Sequence, residues 1–520
     1  MSALQAELND LVGSEFVSAD PLECDYFAQD VFTRATPAGL VVSPADAAQL
    51  AAVVKRATAH GRAVVPRGGG MSYTSGYVPQ ETDSVLVDTS RMCRVLELNQ
   101  EDMYVTVEAG ITWRALAEAL RGTGLRTPYW GTLSGRFATV GGGVSQNSIF
   151  WGSARYGTAA DSVIGLEVVL ADGSILRTGA GAQANARPFF RHFGPDLTGL
   201  FTGDCGALGC KATVTLALIP EPPHRAFGSF AFDDYPATVA AMSDIARADL
   251  VTECFGFDPY LQRQRMKRES LAADARQFAG LLKAAGGVGR ALADGAKAAL
   301  AGRHFMDEVK WSFHVMIEER TRDGAAACLR QVKEIVARHG GRNLPDSIPK
   351  LVRANPFGPV NNMLGPEGER WLPVHALVPH SAATETLARV EAVFERHRER
   401  MQGFEIHTGY LLATVATHCF VVEPVFFWPD AIEEMHRRSV EPEHLRRLRG
   451  FPANPEARAA VTAIKEELSD LFRELGAVHL QVAKAYRYRE GLRPETLKLV
   501  RQLKQVVDPH RRMNPGSLGL

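Results

Sequence analysis

Little in this sequence looks suited to binding a metal or crossing a membrane. Its seven cysteines, at positions 24, 93, 205, 210, 254, 328 and 419, are scattered through 520 residues. Cys205 and Cys210 do not make a CxxC, and nothing pairs with them at zinc spacing, so reduced thiols are expected. No run approaches the roughly 18 apolar residues of a membrane span. The opening MSALQAELNDLVGSEF has early acids and no apolar core before a small-residue cleavage site, so no secretory signal is expected. These absences predict a cytoplasmic chain, or one peripheral to an inner membrane, with no transmembrane segment. Charge of either sign is not in excess. The 58 Lys and Arg against 59 Asp and Glu leave a net charge of −1, which predicts no nucleic-acid partner.

Apolar residues make up 46% of the chain, over a length that predicts two or more domains. In SPADAAQLAAVVKRATAH (43–60), Ser43 and Pro44 read as a helix start, and Leu50, Val53, Val54 and Ala57 as its apolar face. A buried strand, RAVVP, follows. SVLVD (84–88), YVTVEAG (104–110) and KATVTLALIP (211–220) read as strands, and TWRALAEALRG (112–122) as a helix. EVVLADGSILRTG (167–179) is a hairpin about Asp172-Gly173.

Beyond residue 220 the rhythm changes. WSFHVMIEE (311–319), WLPVHALV (371–378) and HCFVVEPVFF (418–427) alternate with helices near 323–339 and 382–398, which predicts a sheet with helices on one face. Residues 340–365 read as a long loop and 278–302 as an Ala-rich helix pair. A charged helix at 455–475, the segment HLQVAKAYRYRE, a helix at 494–507 and DPHRRMNPG close the chain. The division expected is a lead-in of 1–35 and units of 36–220, 221–450 and 451–520.

Two glycine runs stand out. PRGGGMSYTSG (66–76) lacks the Gly-Lys-Ser/Thr of a P-loop, and its glycines are followed by poor helix formers rather than by a GxGxxG helix. GGVGRALADG (286–295) lacks a third glycine and follows helix, not strand. A turn whose bare N–H groups curl around a diphosphate is the better reading of the first run. GTLSGRFATVGGGVSQN (131–147) has the same small, hydroxyl-rich character and again reads as a loop. Two such turns in one domain suit a long dinucleotide.

PRGGGMSYTSG, TVGGGVSQN, RYG, ADSVIGLEVVLADGSILRTG, FGPDLTGLFTGDCGALG and DPHRRMNPG, in that order, resemble the FAD-binding oxidoreductases of the vanillyl alcohol oxidase and p-cresol methylhydroxylase (PCMH-type) superfamily. The resemblance implies an α+β fold: an FAD-binding domain of two α+β subdomains, an α+β cap with an antiparallel sheet, and a C-terminal segment returning to the flavin. It implies that Pro66, Arg67, Gly68, Gly69, Gly70, Met71, Ser72 and Tyr73 hold the diphosphate. Thr132, Ser134, Thr139, Gly142, Gly143 and Asn147 would line the rest of the cofactor. Gly206 and Gly209 would lie along the ring or ribityl side, with Asn514 contributed by the closing motif. Some relatives carry a flavin-bonding histidine where this chain has Met71. A thioether is not suited to that bond, so non-covalent FAD is expected.

Two branches of the superfamily divide the substrate question. The D-lactate and glycolate dehydrogenases often hold a metal with two histidines and a glutamate. Here GERWLPVHA (368–376) keeps only His375, with Gly368 at the other histidine position. GAVHLQVAK (476–484) keeps His479 and Lys484 but has no glutamate, so no metal is expected. The vanillyl alcohol oxidase and 4-cresol dehydrogenase branch binds a phenolate with tyrosines and an arginine, which points to Tyr486 and Arg487. His418 is the nearest candidate for a flavin tether there, although Thr158 stands where an assisting aspartate belongs.

The chemistry expected is hydride transfer from a CH–OH or benzylic carbon to flavin N5. His375, His418 and His479 are candidate bases, with Tyr486, Arg487 and Lys484 around the oxyanion. An aromatic alcohol or 4-substituted phenol leads as substrate. A D-2-hydroxy acid is second, and an ether-lipid-synthase-like group exchange third. The partners implied are a small-molecule substrate and an electron acceptor (oxygen, a quinone or a cytochrome); a homo-oligomer is compatible with the sequence.

Overall fold

The computed structural model describes residues 2–34, 37–268 and 309–520, so the 278–302 and 286–295 stretches lie outside the described residues. Among the described residues, three sheets of four or more strands organise the chain, beside the two-stranded pair Leu125–Arg126 and Ile219–Pro220. The first runs in the order Val17–Ser18, Leu40–Val42, Val85–Asp88, Val64–Arg67, and the last three strands are parallel. Parallel neighbours need a crossover, supplied by helix Ala47–Ala59, which buries the expected Leu50, Val53, Val54 and Ala57. This helix starts later than Ser43-Pro44. Asp46 is the cap, its carboxylate accepting from the Gln49 N–H at 2.8 Å, while the Ser43 hydroxyl donates to Asp88.

The second sheet is antiparallel, in the order Val95–Asn99, Tyr104–Glu108, Cys210–Ala217, Val163–Val169, Ile175–Arg177. Its last hairpin turns at Asp172-Gly173. Asp172 Oδ1 accepts from the Ser174 N–H, and Gly173 takes φ +82°.

The third sheet has eight antiparallel strands. Seven run in the order Arg342–Leu344, His224–Phe232, Trp311–Glu319, Glu253–Phe257, His407–Val415, Cys419–Trp428, Arg370–Pro373, and Ala376–Val378 pairs on Cys419–Trp428 as well. Period-2 alternation splits each strand between two faces. Phe313, Val315 and Ile317 pack under helices Tyr235–Arg247, Arg322–Arg338, Ala383–Arg396 and Pro455–Glu474. Phe255 and Met316 point the other way and join the core of the second sheet. The bare face of the third sheet therefore closes over the first two sheets, and a cleft lies between them.

Two sequence expectations change here. Residues 340–365 are not one loop but strand Arg342–Leu344, helix Ser347–Ala354 and the 3-10 turn Asn361–Met363. Ile348 and Val352 anchor that helix to neighbouring cores, which polar flanks and prolines had masked. The stretch 131–147 is not all loop either: Val140–Gln146 is a helix capped by Thr139. Its glycines allow close packing. A Cβ on Gly141 would sit 2.8 Å from the Ala109 carbonyl oxygen, and one on Gly143 would sit 2.8 Å from Trp113 Nε1. Packing overrides glycine's poor helix propensity.

Candidate active site

Strand Val64–Arg67 delivers Gly68, Gly69 and Gly70 to the cleft wall. A Cβ on Gly69 would overlap the Phe137 carbonyl, and one on Gly68 would overlap the Thr139 hydroxyl, so the two loops touch only because these residues are bare. Among the described residues, the N–H groups of Gly68, Gly69, Gly70, Met71 and Ser72 donate to no protein acceptor. Arg67 stands beside them, 5% exposed, with no carboxylate partner among the described residues. Its guanidinium is held by the rings of Phe27, Tyr26 and Tyr77, at 4.6, 5.2 and 5.5 Å to their centroids, and its Nε has no hydrogen-bond partner. A buried cation without a counter-ion, next to five unused amides, is a cradle for an anion such as a diphosphate.

The other end of the cleft is built around His375. The register that pairs Pro373 with Val425 and Ala376 with Val422 sets His375 opposite Glu423, and both side chains line the cleft. Pro424 has no N–H, which breaks the ladder there and splits WLPVHALV into two short strands. Three bonds lock the histidine. Its N–H donates to the Tyr486 hydroxyl at 2.9 Å, that hydroxyl meets Nδ1 at 3.3 Å, and its carbonyl accepts from His479 Nδ1 at 2.8 Å. The His479 and Tyr486 rings stack at 3.8 Å.

Tyr486 is buried, and its hydroxyl lies 3.3 Å from Nδ1. If that hydroxyl donates to Nδ1, the imidazole hydrogen sits on Nε2. Nε2 is buried without a partner. Burial, helped by His479 and opposed by the Leu480 carbonyl, pulls the His375 pKa down to about 3. Burial likewise lowers His479 to about 4, against the His375 carbonyl. Both rings are neutral near pH 7, so this end of the cleft offers neutral imidazole and not an imidazolium.

The remaining sequence-derived candidates divide by position. Pro66, Met71, Ser72, Tyr73, Thr132, Ser134, Thr139, Gly142, Gly143 and Gly206 line the cleft with Arg67 and the three glycines. Asn147 and Gly209 do not. Asn147 ends the glycine helix at φ +50° and accepts from the Ala160 N–H, and Gly209 makes room for Val168. Asn514 and Lys484 stand behind the wall. Lys484 Nζ donates to Val78 O and Asn514 Oδ1, and the Asn514 amide donates to Gly76 O and Cys205 O, which ties the chain's end to the cleft loops. Burial lowers the Lys484 pKa to about 8.

Two candidates lie elsewhere. Arg487 pairs with Asp470 at 3.0 Å, away from the cleft lining. His418 is not on a strand: it is exposed in the turn between His407–Val415 and Cys419–Trp428. Thr417 precedes it, and Ala416 at φ +48° begins the turn.

Sequence reasoning missed Glu423, Gln481 and Glu253. Glu423 had a signal, as the lone acid inside the apolar run FVVEPVFF. Gln481 links the glycine turn to the C-terminal segment, accepting from Ser72 and donating to the Tyr73 hydroxyl, both at 3.1 Å. Glu253 accepts from the Gly152 N–H and the Thr252 hydroxyl, and burial together with nearby Glu318 raises its pKa.

Residues 38–179 match the FAD binding domain, and residues 452–518 match the C-terminal domain of FAD linked oxidases. The chain thus carries an FAD binding domain and the C-terminal domain of FAD linked oxidases, with FAD as its cofactor. It is 30% identical over 217 residues to the glycolate oxidase subunit GlcD of Bacillus subtilis, covering 42% of this chain and 44% of that protein. It is 36% identical over 199 residues to a probable mitochondrial D-lactate dehydrogenase of Danio rerio, covering 38% and 39%. The chain thus spans less than half the length of these curated relatives. Its fold is similar throughout to p-cresol methylhydroxylase with substrate bound, at a TM-score of 0.73 and 18% identity over 99% of this chain and 96% of that one.

The cleft residues fit the cofactor. Arg67 and the amides of Gly68–Ser72 supply the charge and donors that a diphosphate takes, and no side chain fills the space in front of them.

Proposed function

We propose that this protein is an FAD-dependent oxidoreductase that removes hydride from a CH–OH or benzylic carbon of a neutral aromatic alcohol or 4-substituted phenol. FAD, when bound, supplies the two-electron acceptor. Arg67 and the amides of the glycine turn hold its diphosphate. His375 donates Nε2–H to the substrate oxygen, and Tyr486 and His479 keep that donor aimed. Glu423, its cross-strand neighbour, is placed to take the hydroxyl proton.

The observation that carries the substrate class is the charge lining the cleft. Among the described residues its cations are Arg67, in the proposed diphosphate cradle, and Lys211, which is ion-paired with buried Asp204. The His375 end offers neutral imidazole, Glu423 and the apolar walls of Trp371, Phe150, Leu411 and Leu480. Among the described residues, the cleft lining at that end adds no cation to balance a substrate carboxylate beside Glu423, an imbalance that costs about 3–5 kcal/mol when buried. Among the described residues no three His, Cys, Asp or Glu converge as metal ligands.

The second reading, a D-2-hydroxy acid dehydrogenase that passes electrons to a cytochrome or quinone, is favoured by the names of the relatives. Anaerobic titration of the flavin-loaded protein separates the two. Vanillyl alcohol or 4-ethylphenol is expected to bleach the visible flavin absorbance and D-lactate to leave it intact. Bleaching by D-lactate alone would install the second reading, and turnover with no bleaching at any stage would point to group exchange.

A further inference from the structure

A second cavity, of about 480 Å³, lies between helix Trp113–Leu120, the chain around Leu125–Trp130 and the end of helix Ser347–Ala354. Its lining is cationic and aromatic, with Arg121, Arg126 and Arg353 alongside Trp130 and Phe357. One buried carboxylate, Glu318, stands behind it and pairs with Arg126 at 2.7 Å and with Arg353 and Arg225 at 3.1 Å. Arg225 also pairs with Glu221, and Arg114 with Glu118, while Arg121 has no ion pair among the described residues. Among the described residues, five guanidiniums therefore meet three carboxylates. Counting nearby Glu253 as a full anion still leaves one positive charge.

Donors are left over as well as charge. Arg353 binds Glu318 through Nε and Nη2, and Nη1 makes no protein hydrogen bond. Arg126 Nε and the indole N–H of Trp130, each on a residue less than a tenth exposed, have no partner. Arg353 lies over the Trp130 ring at 4.6 Å, and Phe357 meets that ring edge-on at 5.6 Å. An ion-pair clamp for Glu318 would need neither the surplus charge nor the unpaired donors.

We propose that this cavity is a second ligand site, for an organic anion whose carboxylate or phosphate meets Arg353 and Arg121 and whose apolar body lies on Trp130 and Phe357. It is separate from the flavin cleft but shares a wall with it. Phe357 packs so tightly on Gly131 and Gly135 that a Cβ on either would collide with its ring, and Thr132 and Ser134 of the same loop line the cleft. The assignment does not depend on the substrate proposed above.

The test titrates the flavin-loaded full-length protein with benzoate, phenyl phosphate and inorganic phosphate, against sodium chloride at equal ionic strength. Tryptophan emission and Tm are the readouts. Benzoate or phenyl phosphate is expected to give a saturable change that chloride does not, and whichever binds more tightly names the head group. Arg121→Gln and Arg353→Gln should each weaken binding by roughly tenfold or more, the loss of one charge-assisted hydrogen bond, with the flavin spectrum unchanged. Arg121 is exposed, so its variant folds even if loosening Glu318 unsettles the other. No saturable response to any probe would overturn the proposal. So would binding unaltered in Arg121→Gln, or inorganic phosphate binding as tightly as phenyl phosphate.

Discussion

The Gly68–Gly70 turn and the helix carrying Gly141–Gly143 line the same cleft, yet their glycines answer to different neighbours. In the turn, the missing side chains free five amides and let the loop press on the Phe137 carbonyl and the Thr139 hydroxyl. In the helix, Gly141 and Gly143 lie against Ala109 and Trp113, on the core side. The first run makes a surface for a ligand, and the second brings a helix close to a sheet. A glycine run therefore reports close approach, and only its neighbours say whether the approach is to a ligand or to the protein itself.

That contrast breaks most visibly at Gly69. In Gly69→Ala the new methyl overlaps a backbone carbonyl that cannot move alone, and overpacking of this kind costs about 3 kcal/mol. Flavin affinity should fall roughly a hundredfold. Gly141→Ala meets comparable crowding against Ala109, but its cost should appear as a lower Tm, with flavin affinity changed less than about threefold. Fluorescence titration of apoprotein with FAD, beside thermal melts of both variants, checks this. Equal flavin loss in the two would erase the distinction.

Arg67→Met sharpens the ligand side. It removes a buried cation that no described carboxylate balances, so the apoprotein should melt no lower than wild type. Flavin binding should nevertheless weaken by roughly tenfold to a hundredfold, the worth of a hydrogen bond to a charged group. A large fall in apoprotein Tm would mean that Arg67 is structural.

Tyr486→Phe probes the opposite end of the cleft. It strands the His375 N–H and frees Nδ1, which costs about 1–3 kcal/mol of stability. Flavin content should stay at the wild-type level while kcat falls by roughly tenfold, as a donor that can change tautomer loses its aim.

The glycine turn proposed as the cradle was legible in the sequence and the arrangement around His375 was not, for a physical reason. A phosphate cradle uses consecutive residues, and PRGGGMSY states it in one place. The donor at the far end is assembled from His375, Tyr486 and His479, and only the register of two strands shows that His375 faces Glu423. Tyr486-Arg487 looked like a unit, but adjacent residues in an irregular segment diverge: Tyr486 is buried on His375, and Arg487 leaves for Asp470. Helix Pro455–Glu474 was legible as a charged helix, yet its packing under the third sheet was not, because a helix signal names an element and not its partner.

The pH response separates the two ends further. The folded pKa values of His375 and His479 lie below the unfolded value near 6.5, at about 3 and 4. Below 6.5 the unfolded chain binds protons that the folded chain refuses. Stability from these rings is therefore full above pH 6.5 and is lost progressively as pH falls toward 3. Melts from pH 7 to 4 should drop less steeply in His375→Gln than in wild type, and an equal slope would remove the histidine from the account.

The smallest effect belongs to His418, which separates fold position from family habit. It is exposed in a hairpin turn, absent from the cleft lining, and has Thr158 rather than an aspartate at the position implied to assist a tether. His418→Ala should leave flavin content, turnover and Tm within about twofold or half a kcal/mol of wild type, the range of an ordinary surface substitution. Acid precipitation of the wild-type protein should release all of its flavin into the supernatant. Flavin that stays with the wild-type pellet and leaves the variant's would show a bond that only a rearranged hairpin could make.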